Sequence, residues 1–252
     1  MTWHTHRLVA GRRSETGIRR NHMSVSHPVI VLAVAVALGL PATAGAQDAG
    51  FRYLEAGIVG GFVNNVERAG SFTGNGALEL ESDAGGGGFV AGAWQFTDQL
   101  HLYGEYSSAG QELEVRGAST VSGEYDVVRW RIGLGYAHAL SSTTRLYGRL
   151  SLDGTELKNL KVAGFNFDAE GNERGVGGEA GVIWAATPSV QLQAHARYTA
   201  VGELATSGDD LFDADLLVGL TGRWSFRPNI ALFTGYEYGK ITTLNLGVRF
   251  AF

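Results

Sequence analysis

The sequence predicts an all-β protein: a transmembrane, antiparallel, up-and-down β-barrel of about ten strands, with eight as the alternative count, following a cleaved leader. Three observations lead there. Residues 242–252 alternate strictly, with Leu244, Leu246, Val248, Phe250 and Phe252 on one face and Asn245, Gly247, Arg249 and Ala251 on the other, the pattern of a strand with a single greasy side. Similar segments recur upstream, joined by links that are alternately short and long, as in barrels whose periplasmic turns are tight and whose outer loops are not. Ionisable residues stand at strand centres on the face opposite the apolar one, where a water-soluble barrel would place apolar side chains.

The chain opens on residues 29–40, an apolar run ending at Pro41 and followed by Ala44-Gly45-Ala46. About a dozen apolar residues cannot span a bilayer as a helix, which needs roughly 20. With Arg19 and Arg20 upstream, the segment reads as a secretory leader, residues 1–46, with Met23 as an alternative start. The barrel domain is then 47–252.

Charge follows the same division. Residues 1–46 carry five arginines (7, 12, 13, 19 and 20) against Glu15, so the formal charge of −5 understates the acidity of the remainder. That acidity argues against nucleic-acid binding, which needs clustered Lys and Arg to displace counterions. With no cysteine in the chain, disulfides, thiolate metal sites and a cysteine nucleophile are excluded. The 37 glycines show no collagen-like period.

Strands are expected at 53–62, 88–96, 100–107, 127–140, 145–155, 175–186, 190–200, 216–226, 230–239 and 242–252. The short turns are 97–99, 141–144, 187–189 and 227–229, all built from turn-forming Asp, Asn, Pro, Ser or Thr. The long links are 63–87, 108–126, 156–174 and 201–215, and the last outer link, 239–241, is short. Trp94, Phe96, Tyr136, Trp184, Trp224, Phe226, Phe250 and Phe252 fall near the short-turn ends, while Tyr106, Trp130, Tyr198, Tyr236 and Tyr238 fall near the opposite ends. Two such aromatic girdles mark the two membrane interfaces.

The enclosed face is expected to carry a charge network of Glu55, Glu105, Arg129, Arg131, Arg145, Arg149, Asp153, Glu179, His195, Arg197, Arg223, Glu237 and Arg249. Seven arginines nearly balance the acids, and in so narrow a bore long side chains fill the interior. Ion pairing is therefore favoured over an open channel, because unpaired enclosed charges are costly. Inward glycines 133, 135, 177 and 181 make room for Arg and Tyr opposite.

Chemistry-bearing patterns are weak. Tyr103, Glu105, Glu179 and His195 contain acids and a base, but nothing places a serine against His195 as acyl transfer would require. Glu79, Glu81 and Asp83 have the spacing that opens a calcium loop, yet Ala84 and Val90 occupy places where its turn glycine and closing glutamate belong. Asp209, Asp210, Asp213 and Asp215 are interrupted by Leu211. The run 85–88, four glycines, lacks the Lys and helix of a phosphate loop and reads as a flexible strand entry. No catalytic residue, metal ligand or cofactor is assigned. The loop apolars Phe72, Phe165, Phe167, Leu211 and Phe212 are expected to cap the barrel mouth or to touch lipopolysaccharide or another surface.

Residues 96–106, 130–136 and 178–182, together with the ending Asn245-x-Gly247-x-x-Phe250-x-Phe252, carry a resemblance. In them the chain resembles the small proteobacterial outer-membrane barrels of the OmpA and OmpX type, and a ten-stranded outer-membrane β-barrel or porin-family group above all. The ending resembles the C-terminal signal by which such barrels are addressed for insertion. The resemblance implies a Gram-negative outer membrane, periplasmic chaperones and the barrel-assembly machinery as partners during biogenesis, and lipid with lipopolysaccharide around a finished monomer. Function is expected to be non-enzymatic, in envelope structure and surface interaction, the alternative being a narrow porin for small ions or solutes.

Overall fold

The computed structural model describes residues 50–63, 79–82, 85–116, 121–166, 171–204, 212–239 and 241–252. The expected leader and residues Phe72, Asp83, Phe167, Asp209, Asp210 and Leu211 lie outside them. The strands are β1 (Tyr53–Val63), β2 (Glu79–Ser82), β3 (Gly85–Gln95), β4 (Leu100–Arg116), β5 (Val121–Ala139), β6 (Thr144–Val162), β7 (Phe165–Asn166), β8 (Gly171–Ala185), β9 (Val190–Leu204), β10 (Phe212–Arg227), β11 (Ile230–Tyr238) and β12 (Ile241–Ala251). Ten of them close a ring in which β1 pairs β3 on one side and β12 on the other, every pairing antiparallel. The short β2 and β7 pair only with the far ends of β4 and β6. The ring count is therefore ten and not eight.

Side-chain parity follows the expected sense. Trp94, Phe96, Tyr136, Trp184, Trp224 and Phe226 are exposed at one end of the wall, Tyr106, Tyr198, Tyr236 and Tyr238 at the other, and Leu102, Ile132, Leu150, Leu192 and Leu220 lie exposed between them. The enclosed face instead buries Tyr53, Tyr103, Tyr147, Asp153, Glu179, Arg197 and Arg223. A surface this apolar around an interior this polar suits hydrocarbon outside and a hydrogen-bonded bore inside.

Three of the four short turns share one device. Thr97 Oγ1 accepts the N–H of Gln99 (3.3 Å) and Leu100 (2.9 Å). Ser141 Oγ accepts those of Thr143 (3.2 Å) and Thr144 (3.0 Å), and Thr187 Oγ1 those of Ser189 (3.2 Å) and Val190 (3.0 Å). A hydroxyl at the first turn position thus satisfies two donors that the ladder leaves over.

At the opposite end the strands run further than the sequence reading placed them. β4 reaches Arg116, β5 begins at Val121, β6 reaches Val162 and β9 reaches Leu204, so much of the expected long links 108–126, 156–174 and 201–215 is strand. These stretches rise past the lipid, where either face of a strand meets water and the apolar stripe is no longer required. Gly85 to Gly88 is also paired strand rather than a flexible entry, since Gly86, Gly87 and Gly88 lie opposite Gly110, Ala109 and Ser108. Glu79 and Glu81 sit in β2 opposite Arg116 and Glu114, an extended ladder and not a loop able to wrap an ion.

Candidate functional site: the barrel lumen

The strands place the charged residues by parity alone, and contacts between strands that are not neighbours show that these side chains meet across the bore. Arg149 on β6 reaches the hydroxyl of Tyr53 on β1 (3.4 Å), with β3, β4 and β5 intervening along the wall. Its Nη1 pairs with Glu179 (3.3 Å) and its Nε donates to His101 Nε2 (3.2 Å). The guanidinium also stands 4.6 Å, 4.9 Å and 5.3 Å from the ring centroids of Tyr103, Tyr147 and Phe51. Cation–π contacts of this range attract a guanidinium strongly once it is withdrawn from water.

Phe51 closes this end. It precedes β1, is 2 % exposed and stacks on His101, which has no exposed surface. Its N–H donates to Gln95 Oε1 (3.0 Å), while Gln95 Nε2 donates to the carbonyl of Asp98 (2.9 Å). The segment before the first strand is thereby tied to the first short turn. Phe51, Tyr53, Ala93, Tyr103, Ala137, Tyr147 and Ile183 form one buried cluster here.

From Glu179 a hydrogen-bond chain runs around the wall. Tyr147 donates to Glu179 (2.7 Å), Gln193 donates to the Tyr147 oxygen (2.6 Å), and Arg223 donates to Gln193 (2.5 Å) and Gln191 (3.1 Å). Arg223 also approaches Glu55 (3.7 Å), which pairs with Arg249 (2.5 Å), and Arg249 lies 3.6 Å from the ring centroid of Tyr53. Farther out, Arg131 pairs with Glu105 (2.6 Å) and approaches Glu179 (3.9 Å). Asp153 accepts from Arg197 (2.8 Å) and Ser151 (2.6 Å), and His195 Nε2 meets Glu237 (3.2 Å). Near the outer end Arg129 donates to the carbonyl of Gly202 (3.3 Å) and Thr155 to that of Val201 (2.7 Å). Arg145 sits at the start of β6, on the lip beside the short turn.

Enclosed glycines admit these groups. A Cβ on Gly135 would strike the His101 ring, and one on Gly219 the ring of His195. The side-chain partner of His195 Nε2 is Glu237. Among the described residues no group of His, Asp and Glu is arranged to hold a metal ion.

At the seam, Asn245 and Gly247 face inward on β12. Gly247 lies opposite Gly57 and Phe233, and the Phe233 ring fills the space its side chain would need. Phe250 pairs with Leu54 and Ile230. The Phe252 ring packs 5.5 Å from that of Trp94, and its N–H donates to the carbonyl of Arg52 (3.2 Å). Phe51, His101, Tyr147, Gln191 and Gln193 also belong to the lumen network and were not singled out from the sequence. His101 lies two residues before inward Tyr103 and was available to the same argument, whereas Phe51 lies outside any alternating segment.

A family model described as outer membrane protein beta-barrel domain matches residues 30–252. Among solved structures, the outer membrane protein OprG from Pseudomonas aeruginosa is 13 % identical with a TM-score of 0.49, covering 84 % of this chain and 99 % of its own. The translocator domain of autotransporter NalP from Neisseria meningitidis is 14 % identical (TM-score 0.46; 88 % of this chain, 94 % of its own), and Ail of Yersinia pestis is also 14 % identical (TM-score 0.35; 79 % and 97 %). No curated protein matches the chain.

Proposed function

The chain belongs to the outer-membrane protein β-barrel domain family and resides in the bacterial outer membrane, and from that premise we propose a non-enzymatic, monomeric barrel with a closed lumen. It serves envelope structure and surface interaction through its extended outer hairpins. The observation that carries this reading is Arg149, held across the bore between Glu179, His101 and Tyr53, with Phe51 beneath it. A cation locked by that many partners is a poor gate for ions, because releasing it leaves a carboxylate and a guanidinium enclosed without each other. The outer hairpins β4–β5 and β6–β8 supply the surface available to other molecules. The narrow-porin reading has support in the ladder of charged groups from Arg223 to Arg129. Planar-bilayer recording separates the two. Under the closed-lumen reading wild-type protein is silent and Phe51→Ala gives conductance steps. Reproducible wild-type steps that change on Arg129→Ala or Glu179→Ala would overturn it in favour of the pore.

A further inference from the structure

The lipid-facing wall carries a cleft that the lumen does not use. Across β5, β6, β8 and β9, Tyr136, Gly148, Ala180 and Ala196 stand in one row, and Leu134, Leu150, Gly178 and Tyr198 stand in the next row outward. Together with Leu100 and Leu216 they line an open groove of about 650 Å³. Its floor is Gly148, Gly178, Ala180 and Ala196, and Leu150, 75 % exposed, stands up as a wall.

The chain's own packing does not demand that floor. A Cβ on Gly148 would come no nearer than 3.8 Å to the carbonyl oxygen of Glu179, and one on Gly178 no nearer than 3.7 Å to Leu150. Both are ordinary contacts, unlike those at Gly135 and Gly219. Between the two aromatic girdles the surrounding medium is hydrocarbon, and an empty cleft there forfeits dispersion contacts along its whole lining. Its occupant is therefore an apolar chain.

A head-group contact lies on the same strand. From Gly178, β8 runs outward through Val176 to Arg174, about 13 Å away at the usual rise of a strand. Trp130, Gly154 and Arg174 form one row. The indole of Trp130 lies over the bare backbone of Gly154, and the exposed guanidinium of Arg174 stands 5.8 Å from the indole centroid. An interfacial tryptophan steadying a cation above an apolar cleft complements a lipid with a phosphate head and extended tails.

We infer that this face binds one phosphorylated lipid of the outer leaflet, the lipid A portion of lipopolysaccharide, with a phosphate on Arg174 and an acyl chain in the cleft. The inference rests on the outward orientation of the long hairpins and not on whether the lumen conducts. Native mass spectrometry of the full-length folded barrel in detergent, titrated with bis-phosphorylated lipid A, tests it. One retained adduct is expected, weakened about tenfold by Arg174→Ser, since a charge-assisted hydrogen bond is lost. A comparable weakening is expected on Gly178→Leu, which fills the cleft. Heat-modifiability on gels verifies that each variant is folded, and Gly148→Leu substitutes if Gly178→Leu is not. Retention of wild-type binding in either class of variant overturns the inference. So does equal retention of phosphatidylglycerol or of dephosphorylated lipid A, or a dimer mass that the filled variant abolishes.

Discussion

The phenyl ring of Phe51 lies flat on the imidazole of His101, with centroids 3.8 Å apart and planes 6° from parallel. The pair fills the short-turn end of the bore, and it exists because Gly135 leaves the imidazole its place. Gly135→Ala is therefore expected to destabilise the barrel by about 1–3 kcal/mol, the usual result of adding a methyl group to a filled interior. Gly178→Ala, whose methyl group would meet only ordinary contacts on the lipid face, should change stability by less than about 0.5 kcal/mol. Urea unfolding in lipid vesicles reads both, and equal effects would show that the stack is not close-packed.

Glu179 and Glu105 both pair with Arg131, yet they are not equivalent. The Glu179 side chain is 5 % exposed and also holds Arg149 and Tyr147, whereas that of Glu105 is 32 % exposed. Glu179→Ala leaves two guanidinium groups short of a counter-charge and should cost about 3–5 kcal/mol. For Glu105→Ala, solvent screening holds the loss to about 1 kcal/mol or less. The same unfolding experiment checks the ranking, which water penetrating the bore freely would erase.

Parity made the wall legible, because each strand between the girdles must be apolar on alternate residues to face lipid. Arg149, Glu179 and Arg197 could be assigned inward from that rule without knowing their partners. Phe51 could not, since it precedes β1 and its burial depends on a bore that only ten assembled strands create. The outer ends of β4, β5 and β6 escaped for the opposite reason. There the lipid constraint lapses: the even positions of β4, which carry Leu100, Leu102 and Tyr106 lower down, carry Glu112, Glu114 and Arg116 beyond it, so the strand continues without an apolar stripe on that face. The partners across the bore, such as Arg149 and Tyr53, depend on curvature and lie outside anything sequence spacing reports.

The Phe252 ring packs beside Trp94 on the outer surface, a modest contact, and we propose for it a second, separable role in the insertion signal that Asn245-x-Gly247-x-x-Phe250-x-Phe252 resembles. Phe252→Ala is expected to lower the amount of barrel in the outer membrane of cells severalfold, because the assembly machinery no longer recognises the last strand. The purified variant should refold in detergent with a stability within about 1 kcal/mol of wild type, as for loss of one exposed aromatic pair. Quantitative blotting of membrane fractions and refolding yield measure the two effects. A matching loss in both would assign the residue to packing alone.

The hairpin between β6 and β7 turns through Ala163 (φ 53°) and Gly164 (φ 81°), with Val162 opposite Phe165. Two consecutive positive φ angles suit the right-handed twist of a two-residue hairpin, but an alanine there opposes its own Cβ by about 1–2 kcal/mol. The fold retains it because the Ala163 N–H donates to the carbonyl of Ser122 (3.0 Å), joining the turn to β5. Asparagine tolerates the left-handed region better and keeps that donor. Ala163→Asn should therefore stabilise the outer hairpin by about 0.5–1 kcal/mol. The gain is local, since this segment lies beyond the lipid, and it should appear as slower amide exchange at 160–166 with the unfolding midpoint of the barrel unchanged. Faster exchange there would mean that the turn leaves this geometry in solution.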